Sequence, residues 1–119
     1  MRVLDTHSAA PEVLDSGSKI FQLVGTKAGN AQHHSISHME FMPGDCCREH
    51  YHPEGFEESY YILQGEALVT VNKIERKLSA GQCISIPPLV WHDLKNIGNG
   101  TLKFLVITTP AWTEKLHMT

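Results

Sequence analysis

Residues Gly44 to Gly65 read GDCCREHYHPEGFEESYYILQG. Within them His50 and His52 stand two positions apart, and on an extended strand that spacing sends both side chains from one face. A Pro53-Glu54-Gly55 turn follows, then the acidic pair Glu57-Glu58, then an aromatic and aliphatic run that Gly65 closes. Two imidazoles on one strand face and a carboxylate from the next strand are the parts of a divalent-metal site. Its completion needs a further donor from elsewhere in the chain.

The whole chain sets the bounds. At 119 residues there is room for one domain and one core. Hydrophobic residues make up 41% and charged residues 19%, as in a soluble globular protein. A net charge of -3 and a pI near 6.2 argue against broad nucleic-acid binding and against a basic membrane surface. The eight histidines are the one compositional oddity. Three cysteines, two of them adjacent at Cys46-Cys47, do not make a disulfide framework and point to a reducing compartment. The first residues, MRVLDTHSAAPEVLDSG, carry no apolar leader, and no stretch is long enough to span a bilayer. The expected location is the cytosol.

Residues 1–17 are small and polar, with a turn at Asp15-Ser16-Gly17, and read as an extension over the outside of a domain running from 18 to 110. Residues 111–119 read as a tail, either one turn of helix or extended. Between them, strands are expected over Lys19–Gly25, His33–Met42, Cys47–His52, Ser59–Leu63, Ala67–Asn72, Arg76–Leu78, Cys83–Ile86, Trp91–Asn96 and Leu102–Thr108. Pro43-Gly44 and Pro87-Pro88 are hard stops, and Asn99-Gly100 has hairpin chemistry because Asn-Gly accepts positive φ. Short strands with turn signals about every 8–12 residues predict an all-β sandwich or barrel.

The spacings carry more. Gly44 is followed by five residues, His50, one residue and His52; an acid then precedes Gly65 by six residues. Downstream come Gly81, five residues, Pro87, then His92, three residues and Asn96. With these offsets the chain resembles the cupin superfamily, whose two motifs run Gly-x5-His-x-His-x3–4-Glu-x6-Gly and Gly-x5-Pro-x-Gly-x2-His-x3-Asn. The resemblance spans Gly44 to Asn96 and extends to the flanking strands. It implies a double-stranded β-helix, or jelly-roll barrel, and a homodimer, which would cover exposed strand edges. It also implies metal ligands at His50, His52, one Glu and His92.

Two departures from the pattern matter. From His52 to Gly65 the chain is one residue longer, so the offset from His52 selects Glu57 and the offset to Gly65 selects Glu58. Glu58 is the expected ligand. An extra residue fits the Pro53–Phe56 loop better than a paired strand, where a one-residue slip would reverse every side chain. Glu58 also shares parity with Tyr60 and Ile62, a barrel-facing set. The second departure is Leu89, standing where the second motif has glycine; Leu reaches positive φ only at a cost.

Imidazoles with a carboxylate suit a divalent transition metal such as Fe, Mn, Ni, Zn or Cu, and four protein donors leave open positions on a five- or six-coordinate ion. The expected function is a metal-dependent enzyme on a small organic molecule, by dioxygenase chemistry or by isomerase, lyase or decarboxylase chemistry. The alternative is a small-molecule or sugar-binding module without catalysis. Candidate catalytic groups are Glu57 as a base, Arg48 as a binder of a substrate carboxylate, and Tyr60 as a pocket wall. Cys46 and Arg48 share parity with His50 and His52, an alternation that turns them toward the same cavity. His33, His34 and His38 read as surface or hydrogen-bonded histidines. Trp112 in the tail either plugs an open barrel end or packs on a partner subunit.

Overall fold

The computed structural model describes residues 2–119; Met1, the first residue of the predicted extension, lies outside them. Ten strands follow one another: β1 Glu12–Val13, β2 Lys19–Val24, β3 Ser35–Phe41, β4 Cys46–His50, β5 Glu57–Gln64, β6 Glu66–Val71, β7 Ile74–Ser79, β8 Cys83–Ile86, β9 His92–Asn96 and β10 Leu102–Thr109. A 3-10 turn, Glu114–Leu116, follows in the tail. The strands form a six-stranded sheet ordered β1-β2-β3-β10-β5-β8 and a four-stranded sheet ordered β4-β9-β6-β7. All pairings are antiparallel. This is the all-β jelly roll that the strand pattern and the motif resemblance imply. The extension read as lying outside the barrel contributes β1, a two-residue edge strand on β2. Among the described residues no helix is long and apolar enough to cross a membrane.

Alternation along the strands builds the interior. On β5, Glu58, Tyr60 and Ile62 are buried while Glu57, Tyr61 and Leu63 face out. On β10 the buried set is Leu102, Phe104, Val106 and Thr108. Register then puts Phe104 opposite Ile62, Val106 opposite Tyr60 and Thr108 opposite Glu58. The inner row therefore runs from apolar at one end of the barrel to polar at the other. Phe104 meets Phe41 and Tyr60 edge to face, with ring centroids 5.1 and 5.9 Å apart, an arrangement aromatic quadrupoles favour. Val69 and Leu94, paired on β6 and β9, close the core from the other sheet.

Two residues tie the apolar end together. Asn96 is buried; its amide donates to the carbonyls of Phe41 and Gly100, both at 2.9 Å, and its Oδ1 accepts from the Gly98 amide. It thus locks the β9–β10 turn to the end of β3, with no part in the metal-facing set. At Gly65 (φ +90°) a Cβ would come within 3.1 Å of the Thr101 carbonyl, so the β5–β6 turn admits only glycine without displacement.

Leu89 adopts φ 66° despite its side chain, so the turn before β9 keeps the conformation a glycine would give it. Its amide donates to the His52 carbonyl at 2.7 Å, which ties that turn to the metal-facing loop. The left-handed conformation costs a non-glycine residue about 1–2 kcal/mol, and glycine's extra unfolded-state freedom offsets about 0.5–1 kcal/mol of any relief. With the Leu89 side chain 58% exposed, little packing is lost on removing it. Leu89→Gly is therefore expected to raise stability by about 0.5–1 kcal/mol in denaturant unfolding. A loss of stability would mean that the leucine side chain contributes packing that outweighs the backbone strain.

Candidate metal centre

Three elements bring the donors together. β4 ends at His50, and register sets His50 directly across from His92, the first residue of β9. His52 lies just beyond β4, and Glu58 enters from β5 in the other sheet. His50, His52, Glu58 and His92 are 3%, 2%, 5% and 1% exposed. Each offers one donor atom to a shared point, and these atoms all lie within 4.8 Å of one another. The three rings pack around that point, with centroids 4.2 Å apart for His50 and His92, and 4.9 Å for His50 and His52.

Backbone carbonyls set the protons on the rings. The Nδ1 of His50 donates to the Arg48 carbonyl at 2.7 Å, that of His92 to the Val90 carbonyl at 2.8 Å, and that of His52 to the Leu116 carbonyl at 2.6 Å. A carbonyl oxygen only accepts, so each Nδ1 carries the hydrogen and each neutral ring presents a lone pair at Nε2. Those of His52 and His92 face the Glu58 carboxylate. The Nε2 of His92 is 2.9 Å from Glu58 Oε1, and that of His52 is 3.3 Å from Oε2. The second contact lacks hydrogen-bond geometry, and His52 Nε2 is a buried nitrogen with no hydrogen-bond partner. Acceptors facing acceptors at this distance need a positive charge between them, either a proton or a metal ion. Outer hydrogen bonds that fix the tautomer are also what metal-ligating histidines use. With this donor set and this orphaned nitrogen, the four residues can hold a metal ion.

The electrostatics follow the same geometry. Burial pushes His50 down to about 4, only partly offset by the Arg48 carbonyl, which keeps its ring neutral and ligand-competent. Burial works to raise the Glu58 carboxyl, but His52 and His92 beside it, when they carry a proton toward it, outweigh burial and hold the group at about 2. His52 is raised: burial works against its charged form, and the Glu58 carboxylate and the Leu116 carbonyl overcome it. Burial, reinforced by the Glu58 charge, keeps the Tyr60 phenol protonated and pushes the Cys47 thiol up.

The other candidates fall in different places. Glu57 is exposed on β5, on the face opposite Glu58. Arg48 is exposed as well, and the parity expected for it is broken by a bulge. Cys47 pairs with Leu94 and His50 with His92, so three steps on β4 match two on β9. The extra residue turns Cys47, not Arg48, toward the core side. Arg48 meets the site only through its carbonyl. Tyr60 lies inside, on the wall of a cavity of about 370 Å³ that also touches His50 and Glu58. Phe56, in the loop with the extra residue, is buried and stacks on His52 at 4.1 Å. Two further participants come from the tail: the Leu116 carbonyl, and His117, whose ring stacks on His50 at 4.1 Å. Spacing held no signal for them, since they follow the last motif residue by about twenty positions; only the abundance of histidine pointed that way. Trp112 lines the cavity, with the Lys27 ammonium 5.9 Å from its ring centroid.

Comparison with known proteins gives a consistent picture. The family profile described as Cupin domain matches residues 37–108. The chain is 29% identical over 117 residues to the uncharacterized protein MJ1618 of Methanocaldococcus jannaschii, covering 97% of this chain and 93% of that one. It is 32% identical over 93 residues to the tetracenomycin polyketide synthase protein TcmJ of Streptomyces glaucescens, covering 77% of this chain and 60% of that protein. Among solved structures, a predicted oxalate decarboxylase of Thermotoga maritima superposes with a TM-score of 0.80 at 26% identity, over 92% of this chain and 99% of that one. The polyketide cyclase RemF of Streptomyces resistomycificus reaches 0.79 at 19% identity, over 100% and 85%, a likeness of fold.

His52→Ala is expected to remove bound metal from the purified protein, and unchanged metal content would rule the cluster out as the binding site. Glu58→Ala should lower metal retention far more than Glu57→Ala, as read by elemental analysis; the reverse ranking would move the ligand to Glu57. Free ion at about 100 times its dissociation constant should stabilise the wild-type fold by about 2.7 kcal/mol, and a chelator should reverse the gain.

Proposed function

The chain belongs to the cupin domain family, and on that footing we propose that it is a metal-dependent enzyme converting a small, oxygen-bearing organic molecule. The observation that carries the reading is the cavity of about 370 Å³ beside the four donors, with His50 and Glu58 on its wall. A sealed structural site has no such space, whereas a catalytic one keeps a position open toward it. A bound Fe, Mn, Ni, Zn or Cu ion supplies Lewis acidity toward a ligated oxygen and, as Fe or Mn, access to dioxygen chemistry.

The chain's own residues do the rest. Ile20, Met39, Phe41 and Val106 give the cavity apolar walls that suit a hydrocarbon or aromatic body. Gln22 and Lys27 supply polar contacts along the same wall. Tyr60 stays neutral beside Glu58, so its hydroxyl is the group that donates a hydrogen bond to a substrate oxygen. Glu57 and Arg48 are exposed and stand outside the cavity. The substrate class we favour is an enolisable or aromatic polyketide-like compound, in keeping with the names of TcmJ and RemF. A second reading, ligand binding without turnover, draws support from the exposure of Glu57 and Arg48, which takes both away from the cavity.

The test is turnover by metal-loaded protein of a panel of enediols, catechols and β-diketones, with and without oxygen, followed by oxygen uptake and product mass. Conversion of one class is expected, lost in His92→Ala and reduced about 10–100-fold in Tyr60→Phe at unchanged metal content. Silence across the panel under both atmospheres with Fe, Mn, Ni and Zn would favour the binding reading.

A further inference from the structure

The last nine residues are held at both ends. At the near end the Ala111 amide donates to the Gln32 carbonyl, the Trp112 amide donates to the Ser35 hydroxyl at 3.2 Å, and Glu114 pairs with Lys27. At the far end Met118 and Tyr51 form an antiparallel bridge, each amide donating to the other's carbonyl at 2.9 Å. Tyr51 is the residue between the two donors His50 and His52, so the tail docks on the metal-facing segment itself.

Two contacts then reach the donors. The carbonyls that fix His50 and His92 each belong to a residue two positions earlier, Arg48 and Val90. The carbonyl that fixes His52 belongs to Leu116, 64 residues away in the chain. The tautomer of His52 therefore depends on tertiary docking, where those of the other two are local. Next to Leu116, His117 lies nearly parallel to His50, with an interplanar angle of 17°, and meets His52 edge to face at 5.9 Å. Without the tail, His52 is free to carry its hydrogen on Nε2, toward Glu58, and His50 loses the ring that limits its rotation. No side chain of the tail belongs to the four-donor set.

Building on the metal reading above, we propose that the C-terminal strap, residues 111–119, is a positioning element of the metal centre, so that strap docking and metal binding are one coupled equilibrium. Coupling is reciprocal: whatever factor the docked strap adds to metal affinity, bound metal adds to strap docking. Partners that orient ligating histidines are worth about 10–100-fold in metal affinity. That is the size expected here.

The test uses the full chain and Zn²⁺ in competition with a chelator. Met118→Pro deletes the amide that donates to Tyr51 and leaves all four donors untouched; His117→Ala removes the stacked ring. Each is expected to weaken zinc binding at least about 10-fold, and His117→Phe, which keeps a flat ring, to recover most of the loss. Unchanged affinity in Met118→Pro and His117→Ala, with wild type binding zinc, overturns the coupling and leaves the metal reading standing. A wild type that takes up no zinc and no other ion of the series overturns both. Should a variant fail to fold, hydrogen exchange on the wild type decides the matter. Saturating zinc is expected to slow exchange at the Tyr51 and Met118 amides by the same factor, and equal rates with and without zinc overturn the proposal.

Discussion

Three buried imidazoles commit their Nδ1 hydrogens to backbone carbonyls, and two of them turn their Nε2 lone pairs onto one carboxylate. In an apolar interior that arrangement is unfavourable by itself, because acceptors face acceptors without water to separate them. A cation resolves it. Burial in the same place keeps His50 neutral and so able to act as a ligand. The chain keeps a charge-deficient point at one end of a barrel whose other end is an ordinary aromatic and aliphatic core.

The core makes that placement possible. β5 and β10 carry an inner row that changes from Ile62 and Phe104 to Glu58 and Thr108 without changing face. One continuous pairing therefore both packs the apolar end and delivers the carboxylate. The opposite sheet does the same through β9, whose buried Leu94 sits two residues from His92. Removing core volume would therefore shift Glu58 relative to the histidines, since close-packed side chains between the two sheets transmit strain.

Much of this was legible in the sequence. Alternation on β5 and β10, the Pro-Gly stops and the His50-x-His52 spacing identified an all-β barrel and the face on which a site would form. The choice of Glu58 over Glu57 as the inward acid rested on placing the extra residue in the Pro53–Phe56 loop and on parity with Tyr60 and Ile62, and Glu58 is buried on that face while Glu57 is exposed. What stayed hidden has physical reasons. A bulge between Cys47 and His50 resets parity without a sequence marker, so Arg48 points away from where alternation put it. Leu89 holds a left-handed φ that no propensity rule assigns to leucine, because the surrounding turn over-determines it. Leu116 acts through a carbonyl, which every residue has, and His117 reaches the site through tertiary docking of a segment with no strand pattern of its own.

X-ray absorption at the metal K edge, on protein purified without added metal, examines the donor set most directly. The arrangement of His50, His52, His92 and Glu58 predicts one first-row divalent ion per chain, with a scattering pattern of three imidazoles and one carboxylate oxygen. An ion surrounded by oxygen alone, or protein that holds no ion even after incubation with the series from Mn to Zn, would contradict it.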